Sequence, residues 1–86
     1  MIKKFEKQRE EEFYKRLEQI NELLIQLLGE KAAQRIADGA SLEREVSCSR
    51  LPKKFKNAYS EIIHSVEKFS VRNFQSEILL MELRKY

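Results

Sequence analysis

Eighty-six residues carry 17 Lys and Arg against 14 Asp and Glu, a formal charge of +3, and 36% of the chain is charged while 42% is hydrophobic. That length allows one domain at most, with roughly 60 to 65% of the unfolded surface buried. Two Gly, one Pro and no Trp argue against a turn-rich β architecture or a low-complexity chain and in favour of an all-α one. A single Cys excludes an intrachain disulfide, so nothing demands an oxidising compartment.

The chain opens on charge. Lys3 and Lys4 are followed by a polar run through Glu12 and not by an apolar segment, so no secretory leader is expected. The longest apolar stretch, Ile20 to Leu28, is interrupted by Asn21, Glu22 and Gln26. It falls well short of the ~20 residues that cross a bilayer. A cytoplasmic protein with no membrane partner is the expectation.

A first long helix is predicted over residues 2–38. Glu11 and Glu12 stand four residues before Lys15 and Arg16, the favourable order for ion pairs along a helix. Phe13, Leu17, Ile20, Leu24 and Leu27 then repeat at spacings of four and three, the mark of a helix lying along another helix. Gly29 falls inside this pattern, where a helical Gly costs about 1 kcal/mol relative to Ala. The helix is expected to run through it, with residue 29 as the place where it could bend. Asp38 and Gly39 supply a C-terminal stop.

Residues 39–51 read as a connection containing at most one helical turn, with Leu42 and Val46 placed to fold over the end of the bundle. Pro52 suits the first turn of a second helix, predicted over 52–85. Phe55, Tyr59, Ile62, Val66 and Phe69 form its seam, and the same spacing continues through Asn73, Ser76, Leu80 and Leu83. The two helices match in length. The expected architecture is therefore a single-domain antiparallel helical hairpin spanning residues 1–86.

The end of the second helix carries a second stripe: Val71, Phe74, Ile78 and Met81 at spacings of three, four and three. A hairpin covers one face of each helix, so this stripe would form an exposed apolar patch of the kind that marks an interface. The economical reading is a homodimer closing into a four-helix bundle, with Asn73 fixing the register. The competing reading is a seam that drifts around the helix and leaves Asn73 and Ser76 in water.

Arg50, Lys53, Lys54 and Lys56 place four bases, with no acid among them, at the start of the second helix. Cations there oppose the positive end of the helix dipole. Either they contact an anion such as nucleic acid, or they pair with Glu30, Asp38, Glu43 or Glu45 nearby.

Catalytic and metal chemistry find little support in the pattern. Cys48 and His64 are the only thiol and imidazole and are separated by most of a helix, so they make no expected dyad. No paired Cys or His spacing, Glu-x-x-His motif or Gly-rich phosphate loop occurs. A non-enzymatic interaction protein of adaptor, inhibitor or chaperone type is expected, without cofactor or small-molecule substrate. Its partners would be its own copy and another protein; the alternative is a nucleic-acid-binding regulatory dimer using residues 50–56.

Overall fold

The computed structural model describes residues 2–68 and 73–86; the side chains of residues 2–9 and of Asn73 lie outside that description, as do residues 69–72. The described residues are all-helical, in five helices: α1 (Ile2–Leu28), α2 (Glu30–Ala37), α3 (Leu42–Ser47), α4 (Lys53–Glu67) and α5 (Asn73–Lys85).

Both expected long helices are divided. The first stops at Leu28, because Gly29 adopts φ 97° and ψ 174° and becomes the N-cap of α2. That backbone region is open almost only to glycine. The continuation expected through residue 29 is therefore corrected to a break of one residue. The second ends at Glu67, with the Lys68 N–H donating to the His64 carbonyl, and α5 starts at Asn73.

Side-chain pairs give the directions. Lys54 meets Glu82 at 3.5 Å and Gln75 donates to Glu61 at 3.0 Å, so α5 runs back along α4. Arg16 meets Glu77 and Arg84 meets Gln19, both at 3.2 Å, so α5 runs in the same sense as α1. The described core is an up-down-up arrangement of α1, α4 and α5, not a two-helix hairpin. Burial explains the reversal. It brings Leu79, Leu80 and Leu83 of α5 onto Phe13, Ile20 and Leu24 of α1 and onto Phe55, Tyr59 and Ile62 of α4. Each such side chain taken from water contributes about 1.5 to 3 kcal/mol, which outweighs the propensity of an uninterrupted helical sequence to stay straight.

The connection closes one end of the bundle. Gly39, at φ 112°, ends α2: its N–H donates to the Ile36 carbonyl and that of Ala40 to the Arg35 carbonyl, the double bond of a Schellman stop. The Ser41 hydroxyl then accepts from the Arg44 N–H and caps α3, whose Val46 is buried in the core. Between this end and Tyr86 lies a cleft of about 420 Å³, lined in part by Leu27, Leu28 and Leu51. Leu27, expected in the seam, is 38% exposed, and Leu28 packs against the core in its place.

Candidate interaction surface on α5

Taking about 100° per residue, the side chains of α5 fall on four sides of the helix. Ser76, Leu79, Leu80 and Leu83 share one side and are all buried. Gln75 and Glu82 flank it toward α4, where they meet Glu61 and Lys54. Glu77 and Arg84 flank it toward α1, where they meet Arg16 and Gln19. Helix α5 thus rests in the groove between its neighbours with a polar rail on each edge.

The fourth side is opposite the groove and is apolar up to the last turn, where the exposed Lys85 joins it. Phe74, Ile78 and Met81 occupy it and are 73%, 42% and 56% exposed. An ordinary surface helix is apolar on one stripe only, and one apolar on opposite sides is normally covered on both. The groove-facing side accounts for how α5 is held within the protomer. No residue of the outer side belongs to the described core.

Ser76 is the polar exception on the groove side. It is fully buried, and its hydroxyl accepts a hydrogen bond from Arg16 Nη1 at 3.2 Å. The expectation of a wet Ser76 under the drift reading is corrected: an arginine from α1 satisfies it, as a buried hydroxyl requires. Of the other residues expected at the interface, Val71 lies outside the described residues, and Asn73 is the first residue of α5.

The basic run is spread over two features. Arg50 is exposed and lines the cleft at the closed end, together with Cys48. Lys53 and Lys54 open α4 behind the Pro52 cap. Lys54 pairs with Glu82 and stands 5.3 Å from the centre of the Phe55 ring. Arg50, Lys53 and Lys56 have no ion-pair partner among the described residues. Of the four acids expected to neutralise them, Glu45 is engaged elsewhere, taking two hydrogen bonds from Arg35 at 2.7 and 3.0 Å, and Glu30, Asp38 and Glu43 form no ion pair among the described residues. Those bonds hold the Glu45 carboxyl below, and the Arg35 guanidinium above, their ordinary pKa values.

Tyr59 is a core residue with its hydroxyl donating to Asn21 Oδ1 at 2.9 Å. Burial, with a smaller contribution from Glu43, pushes its phenol up to about 12. Cys48 is exposed at the end of α3, and His64 is exposed three turns along α4 with its Nδ1 3.6 Å from Glu67. Among the described residues no three His, Cys, Asp or Glu are gathered as metal ligands, and no helix is long and apolar enough to cross a membrane. Comparison of the chain with family models, curated proteins and solved structures finds no match.

Proposed function

We propose that this chain is a non-enzymatic helical interaction protein whose α5 crest, Phe74, Ile78 and Met81, pairs with the same crest on a second copy. The observation that carries the reading is the placement of that crest diametrically opposite the buried side of α5, outside the described core. A two-fold contact joins a patch to itself, so one apolar stripe supplies both halves of the interface. A short chain with a marginal core also gains from a partner. Adaptor, inhibitor or chaperone roles toward another protein would act through the dimer's remaining surface.

The dimer proposed is not a four-helix bundle of hairpins, since each protomer already packs α1, α4 and α5 around its core with α3 closing one end. Sedimentation equilibrium over a concentration series tests the reading. Wild-type protein should approach twice the 10.3 kDa protomer mass, and the Phe74→Glu, Ile78→Glu double variant should stay at one protomer with its helicity intact. A wild-type monomer at all concentrations, or a double variant that still dimerises, would overturn it.

A further inference from the structure

The outward face of α4 is built differently from that of α5. Lys53, Asn57, Ser60 and His64 recur at spacings of four, three and four, which aligns them along one side of the helix. Lys53, Asn57 and His64 are exposed and Ser60 is half-buried, while Phe55, Tyr59 and Ile62 on the other side enter the core. Lys56 flanks the row and Lys68 follows it, while Arg50 precedes it in the chain and lines the cleft at the closed end. Glu67 is the one acid at this edge, beside His64; Glu61 faces α5 through Gln75.

The geometry points to double-stranded DNA as the ligand of this face, with Arg50, Lys53 and Lys56 on the phosphates and Asn57, Ser60 and His64 turned toward the groove. Three observations select that ligand. Arg50, Lys53 and Lys56 lack an acidic partner among the described residues, although Lys53 and Lys56 lie in the first turn of α4, where the helix dipole disfavours cations and no acid offsets them. Uncompensated bases of this kind gain most from a polyanion, whose condensed counterions they release.

The row also contains no large apolar side chain and no Phe, Tyr or Trp, whereas protein interfaces are anchored by such residues at their centre. That disfavours an acidic protein. Single-stranded nucleic acid is recognised by stacking on exposed aromatics. Among the described residues the exposed aromatics are Tyr14 on α1, Phe74 on α5 and Tyr86 at the chain end, and none stands on the α4 row.

The remaining choice is between duplexes. A helix of 15 residues is about 22 Å long and about 10 to 12 Å wide, which suits the ~12 Å major groove of B-form DNA, while the major groove of A-form RNA is too narrow to admit it. Lys, Asn, Ser and His are side chains that bond phosphate oxygens or base edges. This inference stands apart from self-association through α5. A dimer would present two such faces, and a monomer one.

Fluorescence anisotropy with a labelled mixed-sequence DNA duplex of about 20 bp tests it, as a function of salt. Wild-type protein should bind with Kd in the range of about 1 to 100 μM at physiological salt, falling steeply as salt rises. The Arg50→Gln, Lys53→Gln, Lys56→Gln variant should lose at least about tenfold in affinity, with the slope of log affinity against log salt flatter by about 3 per protomer. A charge-matched control, Lys15→Gln with Lys31→Gln and Lys85→Gln, should retain binding. Far-ultraviolet circular dichroism checks that every variant keeps its helicity.

Absence of duplex binding by wild-type protein at low salt overturns the inference. An equal loss in the control overturns it too, because the affinity would then follow net charge and not the α4 face. Tighter binding to poly-glutamate than to the duplex, abolished by the triple variant, would assign the face to an acidic protein and likewise refute the assignment to DNA.

Discussion

Helices α4 and α5 are neighbours of similar length, 15 and 13 residues, yet their outward faces are opposites. The outer side of α4 carries Lys53, Asn57, Ser60 and His64; that of α5 carries Phe74, Ile78 and Met81. Helix α4 obeys the rule for a surface helix, one apolar stripe in and a polar face out. Helix α5 breaks it. The difference teaches that packing within the protomer explains all the apolar residues of α4 and only half of those of α5.

The comparison can be broken first on the inner face of α5. Truncating Leu79→Ala, or Leu24→Ala in the same core on α1, should cost about 2 to 5 kcal/mol of unfolding free energy by chemical denaturation, because both are fully buried. Phe74→Ala on the outer face should cost the isolated protomer less than about 0.5 kcal/mol, the usual range for a surface site. Equal losses at Leu79 and Phe74 would mean that the outer crest is packed within the protomer after all.

Gly29 comes next in size. Because its backbone lies in a region that side chains avoid, Gly29→Ala should destabilise by about 1 to 3 kcal/mol. Nothing lies within 4 Å of an added Cβ, so the loss would come from the backbone alone. Stabilisation instead would show that α1 and α2 merge into one helix at little cost.

On α4 the inner face can be sharpened with Tyr59→Phe, which removes the bond to Asn21 and should cost about 0.5 to 1.5 kcal/mol. The same residue adds a pH dependence. Its phenol is raised from 10.0 to about 12 in the folded protein, so the unfolded chain gives up the proton first. The stability this contributes is complete below pH 10 and is lost as pH rises toward 12. Unfolding curves of wild-type protein should therefore fall more steeply across that window than those of Tyr59→Phe. The smallest effect belongs to Glu45, whose carboxyl is lowered by Arg35. Its contribution is present at neutral pH and is lost as the solution is acidified through the carboxylate range. Glu45→Gln should flatten the acid limb of the stability curve slightly, as expected of a solvent-screened pair.

The helical class and the inner stripes could be read directly from the sequence, because Phe13, Ile20, Leu24, Phe55, Tyr59 and Ile62 keep helical spacing and all six are buried. The stop at Gly39 and the inward turn of Val46 could be read as well. The two divisions could not. Gly29 is compatible with a helix interior as well as with φ 97°, and spacing alone cannot choose between them. Between α4 and α5 no Gly or Pro announces a reversal. There the decision is made by tertiary burial of Leu79, Leu80 and Leu83, a long-range term that local pattern does not carry.

The candidate surfaces divide in the same way. The second stripe on α5 was visible as a period, whereas its position opposite the groove depends on where α1 and α4 lie. Ser76 looked like a polar lapse in a seam, and only the folded chain brings Arg16 to it across 60 residues. The row on α4 was hidden because its members are ordinary polar residues whose alignment matters only once the opposite side is known to be buried.

Disulfide trapping at the middle of the crest tests the central claim most directly. In a Cys48→Ser background, Ile78→Cys sits where a two-fold pairing of crests brings the residue against its own copy, whether the helices run parallel or antiparallel. Mild oxidation should convert Ile78→Cys to a covalent dimer rapidly and leave His64→Cys, on the outer face of α4, largely monomeric. Failure to cross-link at residue 78, or equal cross-linking at 78 and 64, would contradict the account.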